Sequence, residues 1–238
     1  MSENPEKGIR WAATFGLAVL LVGIVACRNG DGAAHNDLGL ALQEQGKLDE
    51  AIEEYRTAIR LDPENAMFYS NLGFALDRQG KFDEAIEEYR IAIRLDPDYA
   101  RAHQNLGFAL LQQGKFDEAI EEYRIAIRLD PELAQVLAQM MGFALQQQGK
   151  LDEAIEEYRI AIRLDPGDAD AHNSLGFVLQ QQGKLDEAIE EYRIAIRLDP
   201  DDALAHYNLG MVLKAEGKDD EAEKAFARAR ELGWHDLT

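Results

Sequence analysis

Residues 84–97 read EAIEEYRIAIRLDP. The same string returns unchanged at 118–131, 153–166 and 187–200, and at 50–63 with only Thr57 in place of an isoleucine. The tyrosines of these copies are Tyr55, Tyr89, Tyr123, Tyr158 and Tyr192, followed by Phe226 in a more divergent sixth copy, at intervals of 34 or 35 residues. Five of the six prolines (Pro63, Pro97, Pro131, Pro166 and Pro200) close the string each time. A period of this length is the mark of an array in which one supersecondary unit is stacked on the next.

Working outward from the string, each copy reads as two helices. The first carries a run such as Asn105-Leu-Gly-Phe-Ala-Leu-Leu-Gln-Gln-Gly-Lys115, apolar at helical spacing, with Gly114 where a left-handed C-terminal cap is needed. The second begins near Asp117, read as its N-cap, with Glu118, Glu121 and Glu122 in the first turns. Ala119, Ile120, Tyr123, Ala126, Ile127 and Leu129 form its apolar stripe. It stops at Asp130-Pro131, because proline has no amide hydrogen and disfavours helix at the residue before it.

On Leu106-Gly107, Ala119, Tyr123, Ala126 and Pro131, and on their counterparts in the other copies, the chain resembles the tetratricopeptide repeat (TPR) family. The resemblance covers residues 32–236 and implies an all-α fold: a right-handed α-solenoid of six TPR helix-turn-helix repeats, preceded by one apolar N-terminal helix. The expected boundaries are 32–65, 66–99, 100–133, 134–168, 169–202 and 203–236, with a tail at 237–238. The glycine after leucine is expected to mark a close crossing of the two helices. The bulky aromatic near the start of the first helix is replaced by His35, Tyr69, His103, His172 or His206, and the fourth copy carries one extra residue within Glu132–Met141. In the sixth copy Leu185, Ile189, Ile194 and Ile196 give way to Asp219, Glu223, Arg228 and Arg230, the charging expected of a terminal repeat with no further neighbour.

The resemblance also implies a site. In the TPR family the first helices line a concave groove that binds peptides. The residues after the glycine are Leu40, Phe74, Phe108, Phe143, Phe177 and Met211. Before the Leu-Gly pair stand Asp37, Asn71, Asn105, Met140, Ser174 and Asn208, and one turn further on Gln43, Asp77, Leu111, Gln146, Gln180 and Lys214. The phenylalanines and Met211 offer apolar area, and Asn71, Asn105 and Asn208 can both donate to and accept from an extended backbone. One TPR subtype clamps the terminal carboxylate of chaperones with basic groove residues. Those residues are absent here, which excludes that partner class.

Composition narrows the rest. Against 25 basic side chains stand 45 acidic ones, a formal charge of −20. A nucleic-acid binder needs the opposite balance. The glutamate pairs, Glu121-Glu122 and their repeats, read as a solvated outer face. The equivalent His172 and His206 read as packing residues, since a metal needs a fuller set of ligands. No phosphate loop, zinc-protease motif or nucleophile elbow occurs. The expectation is a protein that is not an enzyme, with no cofactor, no metal and no small-molecule substrate.

Residues 1–31 are different: Lys7, Arg10 and Arg28 balance Glu3, Glu6 and Asp31, so the whole charge lies beyond them. Residues 11–27, WAATFGLAVLLVGIVAC, hold no charge and would span roughly 26 Å as a helix, marginal for a bilayer. Ile24-Val25-Ala26-Cys27 resembles a bacterial lipobox, with Cys27, the sole cysteine, as the lipidated residue. Two readings of residues 1–27 stand side by side, a lipoprotein signal and an uncleaved transmembrane anchor; residues 28–31 form a tether under either. Lys7 and Arg10 place the N-terminal flank in the cytoplasm and the body outside it, on a bacterial envelope. The resulting expectation is a membrane-tethered scaffold holding a protein or peptide partner in its groove. The alternative is an integral accessory subunit or assembly factor of a multi-subunit membrane complex, held by an uncleaved helix.

Overall fold

The computed structural model describes residues 32–234, and every regular element among them is helical. The leader, including residues 11–27, Cys27 and the tether, lies outside the described residues, as does the tail at 237–238. Among the described residues no helix is long and apolar enough to cross a membrane. The chain divides into two compact units after Leu129.

The first unit contains α1 (Gly32–Glu44), α2 (Leu48–Leu61), α3 (Ala66–Arg78), α4 (Phe82–Leu95), α5 (Ala100–Gln112) and α6 (Phe116–Leu129). Consecutive helices pack as pairs, α1 on α2, α3 on α4 and α5 on α6; α2 then meets α3, α4 meets α5, and α3 touches both α1 and α5. The second unit contains a 3₁₀ turn (Pro131–Leu133), α7 (Ala134–Gln147), α8 (Leu151–Leu164), α9 (Ala169–Gln181), α10 (Leu185–Leu198), α11 (Ala203–Ala215) and α12 (Asp219–Glu231). Its pairs are α7 with α8, α9 with α10 and α11 with α12, joined through α8 to α9 and α10 to α11. Each unit is thus three helical hairpins stacked on their neighbours, as a TPR-type array requires.

The repeated string dictates the joints. At the end of α3, Gly80 N donates to Asp77 O (2.8 Å) and Lys81 N to Leu76 O (3.0 Å), the paired bonds of a Schellman motif. Gly80 has φ +76°, which only glycine adopts without strain. At the end of α4, Asp96 N still donates to Ala92 O, while Asp96 Oδ1 turns back to accept from Asp98 N at 3.1 Å. Asp62, Asp130, Asp165 and Asp199 do the same. The aspartate before each proline therefore closes one helix and shapes the turn into the next.

Three expectations need correction. Asp117 is not an N-cap: α6 starts at Phe116, Ala119 N bonds to Lys115 O, and Asp117 lies in the first turn. Its counterparts Asp49, Asp83 and Asp152 accept instead from Gln79, Gln113 and Gln182, the residue capping the next first helix, at 2.7–2.9 Å. Ile127 and Leu129 are only half-buried, and Leu61, Leu95, Leu164 and Leu198 are exposed, so the buried stripe ends at the alanine. Glu122 and its equivalents Glu54 and Glu191 are half-buried rather than part of the solvated outer face, as shown below.

The extra residue of the fourth copy is absorbed at the entry to α7. The 3₁₀ turn runs straight into the helix, Leu133 has helical dihedrals, and no side chain caps it. By contrast Asn65, Asp168 and Asp202 cap α3, α9 and α11 through their side chains. Asp168 also accepts from Gln135 Nε2 (2.7 Å) and from Gln139 Nε2, tying the start of α9 to α7. In the sixth copy Glu223 and Arg230 are exposed, whereas Ile189 is buried. Trp234 stacks on Tyr207, ring centroids 4.9 Å apart.

Candidate functional site

The crossing of the two helices in a hairpin is set by one glycine and one tyrosine. A Cβ built on Gly107 would stand 2.6 Å from Cε1 of Tyr123 and 3.2 Å from Ala119 O. Gly39, Gly73 and Gly176 meet Tyr55, Tyr89 and Tyr192 in the same way, and Gly210 meets Phe226. The tyrosine rings are fully buried, worth about 1.5–3 kcal/mol each in apolar burial.

Fixing the glycine against the tyrosine turns the next residue outward. Leu40, Phe74 and Phe108 in the first unit, and Phe143, Phe177 and Met211 in the second, are 37–44% exposed, whereas the leucines of the same helices (Leu72, Leu106, Leu175) are buried. Each unit therefore presents a row of three apolar side chains on its first helices. The asparagines stand beside them, and two of them are partly engaged. Asn71 Nδ2 donates to Asn36 Oδ1 (2.7 Å) and Asn208 Nδ2 to Asn173 Oδ1 (3.1 Å), each spending one amide hydrogen on the preceding hairpin. Asn105 is half-buried and has no such partner among the described residues.

Beneath the row lies a polar layer. Tyr55, Tyr158 and Tyr192 donate their hydroxyls to Gln43, Gln146 and Gln180 at 3.3, 3.5 and 2.9 Å. In the second and third hairpins that glutamine is Asp77 and Leu111, and the hydroxyls of Tyr89 and Tyr123 have no partner among the described residues. Burial pushes the Tyr158 phenol up to about 12, and pushes Tyr55, Tyr89, Tyr123 and Tyr192 higher still; the Asp77 carboxylate adds to the effect at Tyr89 and Tyr123. Asp77 is itself raised above the usual carboxylate range by burial.

The histidines are engaged between the two helices of their own hairpins. His35, His103 and His172 place Nδ1 2.6 Å from Glu54, Glu122 and Glu191, and His103 Nε2 is 3.0 Å from Pro97 O. His206 has only Pro200 O, at 3.1 Å. So Glu54, Glu122 and Glu191, the second glutamates of their pairs, are half-buried and partnered, while the first of the third copy, Glu121, is exposed beside Arg124. The recurring separation of 19 residues between histidine and glutamate is the signal in the sequence that marks this pairing. In the second hairpin Tyr69 replaces the histidine. Glu88 is left without that partner, and burial raises its carboxyl above the usual range, with Arg56 opposing and Glu84 and Glu87 adding to the rise. Among the described residues no group of three or more histidine, cysteine or acidic side chains is placed to hold a metal ion.

Stacked hairpins with an open apolar row on the first helices define an interaction scaffold of the TPR type. Residues 21–237 match the family described as the cilia and flagella-associated protein 70 C-terminal domain, a TPR family, and the chain belongs to it. A crystal structure of MamA is similar at 30% identity and TM-score 0.63, over 68% of this chain and 94% of that one. YrrB, described as a TPR protein with an unusual peptide-binding site, is similar at 25% identity and TM-score 0.62, over 75% and 92%. PilF of Pseudomonas aeruginosa shares the fold at 22% identity and TM-score 0.72, over 85% and 91%. No curated protein sequence matches the chain.

Proposed function

We propose that this protein is a scaffold whose units each hold an extended segment of a partner polypeptide along their first helices, with Phe74 and Phe108 in the first unit and Phe143, Phe177 and Met211 in the second supplying apolar contact, and Asn71 and Asn105 in the first and Asn208 in the second backbone hydrogen bonds. The observation that carries the reading is that the residue after the glycine is apolar and exposed in all six first helices, while Leu72, Leu106 and Leu175, leucines before the glycine, are buried. A row of this kind is where contact energy concentrates when a partner excludes water from it. The peptide-binding site in the description of YrrB supports the same use of a TPR array.

The leader adds a second part to the proposal. Residues 11–27 keep the scaffold at a membrane, with Cys27 the lipidated residue and the hairpins outside the cytoplasm, on a bacterial envelope. The apolar run, its flanking arginines and the Ile24–Cys27 sequence support this. Intact mass of the native protein decides: a chain beginning at an acylated Cys27 supports it. A chain retaining Met1 makes residues 11–27 an uncleaved anchor and favours a permanent subunit of a membrane complex.

The groove is tested with an immobilised library of random dodecapeptides. The protein is expected to capture a subset, and the double variant Phe74→Asp/Phe108→Asp is expected to lose it while circular dichroism stays helical. Capture that survives in the folded double variant overturns the groove reading.

A further inference from the structure

The polar layer is uneven, and the unevenness falls in one place. Where Gln43, Gln146 and Gln180 satisfy the tyrosines beneath them, Asp77 and Leu111 do not. Asp77 is one methylene shorter than glutamine, and Leu111 has no acceptor. Three polar atoms are left buried without a partner: Asp77 Oδ1, Tyr89 Oη and Tyr123 Oη. Both tyrosines are essentially fully buried, and the Asp77 carboxylate bears on both phenols. An unsatisfied buried polar atom costs about 1–3 kcal/mol, so three of them in two adjoining hairpins are places where a donor would be favoured.

Their surroundings say which donor suits them. Asp77 lies one helical turn after Phe74, on the same face of α3. α5, which touches α3, carries the exposed Phe108 one turn before Leu111. The site is thus a half-buried carboxylate, its Oδ1 shielded from water, with two buried phenolic oxygens, beside two exposed aromatic rings. An ammonium has three donors and no acceptor, and a guanidinium five. Either can give hydrogen to all three oxygens, and either is favoured near an aromatic face. A neutral donor would leave the carboxylate charge uncompensated.

Building on the groove reading, we propose that Asp77, with Tyr89 and Tyr123, is the anchor for a lysine or arginine side chain of the bound polypeptide, seated between Phe74 and Phe108. The partner segment is then basic at one position and apolar around it. The anchor sets the register of an otherwise repetitive face.

The test uses the same random dodecapeptide library and the full chain. Peptides captured by the native protein are expected to be enriched severalfold in lysine and arginine at one position relative to their apolar residues. Asp77→Gln restores the glutamine of the other hairpins, so it is expected to fold, to capture peptides still, and to lose the enrichment; Asp77→Asn, which keeps the side-chain size, is expected to lose it too. A selected basic peptide is expected to bind the native protein about tenfold more tightly than its glutamine analogue, and equally in Asp77→Gln. Enrichment that persists in both variants, or is missing from the native protein, overturns the anchor and assigns the three atoms to an ordered water. That result leaves the groove standing so long as Phe74→Asp/Phe108→Asp abolishes capture. If the native protein captures nothing, or the double variant captures as before, groove and anchor fall together.

Discussion

The ring of Tyr123 occupies the space that a methyl group on Gly107 would need, 2.6 Å from Cε1 to the added carbon. Neither side can yield easily: Tyr123 is buried, and the backbone oxygen of Ala119 stands 3.2 Å from the added carbon. Gly107→Ala is expected to cost about 1–3 kcal/mol by overpacking, outweighing the helix propensity alanine brings. Gly142→Ala, whose added carbon would lie 3.0 Å or more from Tyr158, is expected to cost less. Urea unfolding of the two variants side by side checks the order.

Gly114→Ala tests a different cause in the same hairpin. Gly114 has φ +73° and its added carbon would meet only the tip of the Phe116 ring, at 3.9 Å. Its cost is therefore backbone strain without crowding, about 1 kcal/mol. A drop in thermal midpoint as large as that of Gly107→Ala would contradict the assignment.

His103 and Glu122 form a pair drawn between two helices, with Pro97 O on the other ring nitrogen. His103→Ala leaves the half-buried Glu122 without its donor and is expected to lose about 1–3 kcal/mol. Arg124→Ala removes an exposed partner of Glu121 and is expected to change stability by about 0.5 kcal/mol or less. Thermal melts of both variants, with the double variant His103→Ala/Glu122→Gln to isolate the coupling, check this.

Glu88 gives the pH dependence. Its carboxyl is raised above the ordinary 4.5 in the folded chain, so the folded state holds the proton more tightly than the unfolded one. The stability this confers is present in acid and is lost as pH rises from about the ordinary value through the raised one. Glu88→Gln stays neutral throughout and is expected to be more stable than the native chain at neutral pH, with the gap closing in acid. Tyr69→His, which supplies the partner that Glu54, Glu122 and Glu191 have, is expected to stabilise the second hairpin near neutrality. Melting curves across pH 4 to 8 that run parallel for native protein and Glu88→Gln would refute it.

The buried phenols act at the other end of the scale. Tyr55, Tyr89, Tyr123, Tyr158 and Tyr192 are all raised above the ordinary 10.0, chiefly by burial. Folded protein holds these protons longer than unfolded protein, so stability is expected to fall as pH rises past about 10. An alkaline absorbance titration is expected to show five of the eight tyrosines ionising only together with the loss of helical circular dichroism.

The helical hairpins, their order and the glycine that marks their crossing are legible in the sequence; that a tyrosine ring fills the crossing is seen only in the structure. Apolar spacing, cap glycines and the aspartate–proline stop are local signals, and the repeat states them several times over. The row after the glycine is expected only from the resemblance to the TPR family; the packing of the glycine on the tyrosine is what turns it outward. The site's polar layer is not legible in the sequence. Which glutamate of each pair turns inward depends on a histidine 19 residues away; which tyrosine is satisfied depends on a side chain 12 residues away; and the aspartate at the start of the second helix, which reads as a cap, meets a glutamine 30 residues away. Helix periodicity places such residues on a face, but only the packing of one helix on another decides whether their polar atoms find a partner or, as at Asp77, Tyr89 and Tyr123, are left without one.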